Sequence, residues 1–207
     1  MNNENRKIIF LFPLLIYLIS ALVGCTSSQE RRILVVHSYE ETYAAYPEFN
    51  RLIAKQFKKE GVNADIRTLY LDCESYKEET ELKRMRYLLD SVSGDWRPEV
   101  ILVNEDQATY SLLKCGDPLV KEVPVVFAGV NYPNWELLKQ YPNATGFHDK
   151  IGFVQNAEMA RKLFGDSVRL FTLLDSTFLD VQIRKDARKQ LAGHRVTGFM
   201  DYPDTVS

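Results

Sequence analysis

The sequence predicts an α/β fold built of doubly wound parallel sheets, and three observations carry that prediction. Four apolar, β-branched runs end in polar residues: 32–39 (RILVVHSY), 64–72 (ADIRTLYLD), 98–106 (PEVILVNED) and 123–131 (VPVVFAGVN). Helical patterns separate them, and the last two runs are apolar throughout, as strands buried on both faces are. Regular alternation with right-handed crossovers then forces a parallel sheet with helices on both sides. In such a sheet ligands sit outside the carboxyl ends of the strands, so the four polar endings converge on one crevice.

Taken in order, the first strand spans 33–39 and leads through a tyrosine-rich loop, 40–46, to Pro47, which opens a helix over 47–60. That helix is expected to bury Phe49, Leu52, Ile53 and Phe57 and to stop at Gly61. The second strand, 64–72, alternates, with Ile66, Leu69 and Leu71 as its apolar members. A charged loop, 75–80, precedes an amphipathic helix over 81–92 that carries Leu82, Met85, Leu88 and Leu89. Residues 94–98 turn the chain into the central strand at 99–104, a helix follows over 107–114, and the fourth strand closes the unit. From Tyr132 the texture changes, because Pro133, Pro142 and a turn at 143–146 interrupt it. Beyond lie a helix over 153–164, a strand over 168–174 ending at Asp175-Ser176-Thr177, a helix over 178–192 and a strand over 194–200. The domain reading is therefore a lobe at 32–131, a connection at 132–146 and a partial second α/β lobe at 147–207.

With 45% hydrophobic and 12% aromatic residues the chain has ample material for a core, which excludes a disordered chain. Its 26 basic and 28 acidic residues give a net charge of −2, so no basic field for nucleic acid exists. The N-terminus departs from this average. Arg6 and Lys7 precede an apolar run over 8–23 that ends Leu22-Val23-Gly24-Cys25, followed by a polar linker over 26–31. This is an export signal over 1–25, its sixteen-residue apolar run short beside the roughly 20 residues of a membrane span. The Leu-Val-Gly-Cys ending resembles the lipobox of bacterial lipoproteins, which makes Cys25 the lipidation site. An uncleaved anchor and plain secretion are the alternatives, and all three place the folded part outside the cytoplasmic membrane, on the periplasmic side of the cell envelope. Cys73 and Cys115 remain. One follows a strand and the other lies about 12 Å down the next-but-one helix at 1.5 Å per residue, so two unpaired, mostly buried thiols are expected. No second cysteine pair or histidine cluster accompanies them, and neither a metal nor a cofactor is expected.

Asn104-Glu105-Asp106 is the densest polar ending. Two adjacent carboxylates suit acid–base or metal chemistry, but Asp106 also suits a helix cap, and strand neighbours face apart. A phosphoacceptor receiver fails on chemistry, since Asn104 stands where a carboxylate is needed and the first strand ends in His37-Ser38 without an acidic pair. His37 and Ser38 suggest a nucleophile and its base, yet they too face apart and no glycine-flanked elbow surrounds Ser38. Asp175 lacks the second aspartate two positions on, where Thr177 stands. What remains is recognition, with Tyr39, Tyr43, Tyr46, Tyr132 and Trp135 supplying aromatic walls beside polar contacts.

The succession ILVVHSYEETYAAYP, LYLDCES, PEVILVNEDQATY, VPVVFAGVNYP, NATGF and LFTLLDSTFLD resembles the extracytoplasmic sensor domains of bacterial, especially Bacteroidetes-type, sensor histidine kinases. These are similar in turn to the periplasmic substrate-binding proteins of ABC transporters. The resemblance covers about residues 33–201. It implies a two-lobed, periplasmic-binding-protein-like fold with a small-molecule ligand in the cleft, lobe closure as the signal or delivery event, and no catalysis in this portion. Carried over by position, Ser38, Tyr39, Asn104, Glu105, Asp106, Gly129, Asn131 and Asp175 line that cleft. Such domains run beyond residue 207, which leaves the second lobe incomplete and the chain resembling a truncated one. The first expectation is the sensing input of a membrane kinase in two-component signalling. The alternative is a free-standing binding lipoprotein partnered by an ABC permease, and an exported hydrolase using Ser38 or Asp106 is the remote third.

Overall fold

The computed structural model describes residues 29–73, 75–169, 172, 174 and 178–194. The strands expected over 168–174 and 194–200 lie partly or almost wholly outside these residues. So do the N-terminal segment with Cys25, and Asp175.

Five parallel strands form one sheet: β1 (Arg31–His37), β2 (Ala64–Tyr70), β3 (Val100–Asn104), β4 (Val125–Val130) and β5 (Ala144–His148), in the spatial order β2-β1-β3-β4-β5. The helices are α1 (Tyr46–Lys59), α2 (Glu78–Ser93), α3 (Asp106–Lys114), the one-turn α4 (Leu119–Glu122) and α5 (Trp135–Leu138), then α6 (Phe153–Phe164) and α7 (Phe178–Leu191). The chain winds outward from β1 to β2, then returns across β1 to β3. The gap between the ends of β1 and β3 is therefore the topological switch point, where a sheet of this kind opens a crevice.

Central β1 explains its own position. Ile33, Leu34, Val35 and Val36 are all at most 2% exposed, so both faces of the strand are buried. Leu34 and Val36 join Ile101, Val103, Val125 and Phe127 on one face, against Met85 and Leu89 of α2 and Ala108, Leu112 and Leu113 of α3. Truncating a residue such as Leu112, at 0% exposure, costs about 2–5 kcal/mol. The opposite face carries Ile33, Val35 and His37 beside β2 and is covered by α1. Here the cover is thinner than the sequence pattern suggests: Leu52 is 47% exposed, and Phe49, Ile53 and Phe57 are only half-buried. The periodicity is correct for a helix, but α1 lies over the edge of the sheet, where one side of its apolar stripe overhangs into solvent.

The segment at 143–146, expected as a turn, opens β5 instead. Asn143 donates from Nδ2 to the carbonyls of Val120 (2.8 Å) and Val123 (2.6 Å), and Val125 N–H bonds back to Asn143 O at 3.0 Å. Gly146 pairs with Phe127 so closely that a Cβ would stand 2.0 Å from the Phe127 carbonyl oxygen. This glycine is required by strand approach rather than by a turn. Cys73 and Cys115 are half-buried thiols, Cys115 donating to Leu112 O at 3.1 Å. Among the described residues no helix is long and apolar enough to cross a membrane.

Candidate functional site

Strand register brings the polar endings together. Tyr70, His37, Asn104 and Ala128 are paired in one row across β2, β1, β3 and β4, at their carboxyl ends. His37 is fully buried. Its ring lies 3.9 Å from that of Tyr46, nearly parallel at 19°, with Tyr70 and Phe49 each at 5.5 Å. Nε2–H donates to Asn50 Oδ1 at 2.8 Å, and Asn50 Nδ2 donates to the Tyr70 hydroxyl at 3.2 Å. Nε2 thus carries the proton, leaving Nδ1 buried with no hydrogen-bond partner. Burial holds the imidazole below its usual pKa, against the pull of Asn50.

Ser38 points away from His37, as strand geometry requires, and is also fully buried. It donates to Asn104 O at 3.0 Å and accepts from Ala108 N at 2.9 Å, tying β1 to β3 and capping α3 from a neighbouring strand. With His37 bonded to Asn50 and Ser38 to main chain, the two do not form a nucleophile and base pair. Ser38 frames the crevice from behind.

Glu105 links the strand to the helix with φ of 75° and ψ of 169°, a conformation nearly confined to glycine that costs other residues about 1–3 kcal/mol. Its N–H bonds Ala128 O at 2.7 Å, and its carbonyl accepts from Thr109 N and Oγ1 at 3.1 and 2.6 Å. The half-buried carboxylate accepts the Tyr46 hydroxyl proton at 2.8 Å, and that hydroxyl accepts Tyr39 N–H at 3.0 Å. Burial raises the Glu105 pKa, with the bonds from Tyr46 and Ser38 opposing. Burial likewise raises that of Tyr46, which stays a donor.

Asp106, expected as a cap for its own helix, caps the opposite loop. It is 2% exposed, and its Oδ2 accepts Asn131 N–H at 2.8 Å and Asn131 Nδ2 at 3.4 Å, while Oδ1 accepts Tyr132 N–H at 3.1 Å. One turn along α3, Tyr110 donates its hydroxyl to Tyr132 O and accepts Asn134 N–H at 2.9 Å. Asn134 in turn caps α5 by accepting Leu137 N–H at 3.1 Å. The 131–134 loop is thereby fixed from below. Gly129, at φ 67°, keeps β4 against this corner: a Cβ there would meet Asn104 Oδ1 at 3.2 Å. Across the loop, the Tyr132 hydroxyl donates to Asp186 Oδ2 on α7 at 3.4 Å, and Gln190 of α7 donates to Asp186 and to Ile151 O. Burial and Asp186 push the Tyr132 hydroxyl up to about 12.

Seven of the eight expected site residues therefore meet at the switch point, and the eighth, Asp175, lies outside the described residues. Ser38 and Asp106 hold the crevice together, whereas Tyr39, Asn104, Glu105 and Asn131 are the half-buried groups at its surface. Sequence reading missed Asn50, Tyr70, Tyr110 and Asp186. Of these only Tyr110 left a signal, standing one helical turn after Asp106. Among the described residues no group of histidine, cysteine or carboxylate side chains is arranged to hold a metal ion. A separate recess of about 490 Å³ lies between α1 and the start of β2, lined by Ala54, Phe57, Val62 and Ile66 among others. It sits at the amino end of the sheet, away from the strand ends where ligands bind in such sheets, and Lys58 and Asn63 are its polar lining, so the switch point remains the candidate site.

The fold so defined is of the periplasmic-binding-protein-like α/β class. A conserved domain protein from Vibrio cholerae O1 biovar El Tor aligns with a TM-score of 0.65 at 15% identity, over 84% of this chain and 57% of that one. The ABC domain from Streptococcus pneumonia, in complex with L-Trp, gives 0.62 at 16% identity, over 83% and 56%. A periplasmic sugar-binding protein from Pseudomonas fluorescens gives 0.54 at 16%, over 83% and 51%. The chain thus spans between about half and three fifths of these solved proteins. No protein-family model matches the chain, and no curated protein matches it in sequence.

Proposed function

We propose that this chain is an extracytoplasmic small-molecule-binding domain whose ligand contacts the switch-point crevice, without turnover. The observation that carries the reading is the fixed polar corner. Asp106, Tyr110, Ser38 and Tyr46 spend their hydrogen bonds on holding three loops, which leaves Tyr39, Asn104, Glu105 and Asn131 preorganised at its surface. In this reading the ligand stabilises a closed arrangement by its differential affinity for that form. In this reading the second lobe contributes the facing wall.

The motifs HSY, NED and FAGVN favour the input portion of a membrane sensor histidine kinase, anchored by the N-terminal segment through Cys25 lipid or an uncleaved helix. The named roles of the fold neighbours favour the second reading, a substrate-binding lipoprotein serving an ABC permease. Native mass spectrometry of the full chain, after incubation with a bacterial metabolite extract, tests the shared claim. A retained small molecule of defined mass, lost in an Asn104→Ala/Asn131→Ala variant, is expected. No retained mass, or equal retention by that variant, overturns it.

A further inference from the structure

The chemistry of the crevice rim narrows the ligand class, an inference that rests on the crevice being the binding site. Tyr39 and Tyr43 stack with centroids 4.8 Å apart, and Tyr43 lies 4.9 Å from Tyr46. Tyr46 is buried, Tyr39 half-buried and Tyr43 39% exposed, so the stack runs from the core to the surface and presents ring area at its outer end. The same Tyr46 hydroxyl that holds Tyr39 N–H gives its proton to one oxygen of Glu105. Aromatic stack and carboxylate are thus one rigid unit, spanning the β1–α1 and β3–α3 loops.

The three loops that build this unit carry charge of one sign. Residues 38–45 contain Glu40 and Glu41, residues 104–107 contain Glu105 and Asp106, and residues 131–134 are uncharged; none of the three loops contains lysine or arginine. Asp106 is consumed by the two main-chain N–H groups it accepts, whereas Glu105 is half-buried, accepts among the described residues only neutral donors, Tyr46 and Ser38, and has no cation in these loops to pair with. A carboxylate beside tyrosine ring faces, with no lysine or arginine in these three loops, disfavours anions. It attracts a cation by direct pairing and by the ring quadrupole. The chain uses the second of these interactions one loop away, where the Arg84 guanidinium sits 4.3 Å above the Tyr76 ring.

We propose that the crevice takes an organic ammonium ion, its positive group between Glu105 and the Tyr39–Tyr43 pair. Calorimetric titration of the full chain at pH 7 with three indoles of matched body, tryptamine (cationic), 3-methylindole (neutral) and indole-3-acetate (anionic), together with choline, tests it. At least one of the two cations is expected to bind at least tenfold more tightly than the neutral and anionic indoles. Glu105→Gln should abolish that preference, and Tyr43→Ala, a surface change that leaves Glu105 in place, should weaken the cation several-fold. Stronger or equal binding of indole-3-acetate or 3-methylindole overturns the proposal. So does cation binding that survives both substitutions, or the failure of both cations to bind. The crevice reading falls separately, when the metabolite extract leaves nothing bound or the Asn104→Ala/Asn131→Ala variant retains the molecule equally.

Discussion

Asp106 on the first turn of α3 and Asn131 just past β4 are joined through the Asn131 main-chain N–H, at 2.8 Å, with the side-chain amide further off at 3.4 Å. Removing the acid therefore orphans two N–H groups, of Asn131 and Tyr132, while removing the amide loses a marginal contact. Asp106→Ala is expected to destabilise the fold by about 2–3 kcal/mol, and Asn131→Ala by less than about 1 kcal/mol. Urea denaturation of both variants checks this. Equal losses would mean that the carboxylate does not anchor the loop.

Glycine substitutions separate two kinds of backbone constraint. Gly129→Ala places a Cβ in the left-handed region and 3.2 Å from Asn104 Oδ1, for an expected cost of about 1–2 kcal/mol. Gly146→Ala meets a main-chain oxygen at 2.0 Å, so β5 must shift, and a loss above about 2 kcal/mol is expected. Amide exchange of residues 144–148 should rise in the second variant and stay unchanged in the first.

Much of this was legible in the sequence, and the misses have two causes. The runs ending at His37, Asn104 and Val130 announced buried strands because apolar residues on both faces leave no other reading. The row of polar endings followed from parallel pairing alone. β5 escaped because an edge strand next to a loop carries no apolar run: Ala144-Thr145-Gly146 reads as a turn until Gly146 is seen pressed on Phe127. The roles of Ser38 and Asp106 escaped for a different reason. Both polar side chains serve the backbone of another element, and nothing local to either residue indicates which one.

Two buried titratable groups give opposite pH slopes. The His37 pKa is lowered by burial, so its contribution is complete above the unfolded value near 6.5 and is lost as pH falls below that. Stability should thus decline on acidification from pH 7, and His37→Phe should flatten that decline.

Glu81 behaves in the other sense. Buried against Ser111 at 3.4 Å, with its Oε1 unpartnered, it has its pKa pushed up to about 7, burial being the main cause. Its contribution is present below the usual carboxylate value and is lost as pH rises through about 7. Glu81→Gln should therefore gain on the parent protein by roughly 2–3 kcal/mol between pH 4.5 and pH 8, read from urea midpoints at each pH.

The most direct test of the central claim is amide hydrogen exchange of the full chain, with and without the small molecule it captures from a metabolite extract. The switch-point account predicts protection in residues 38–46, 104–108 and 129–134, with the α1 and β2 recess around Phe57, Val62 and Ile66 unchanged. Protection confined to that recess, or spread without preference for the three loops, would contradict it.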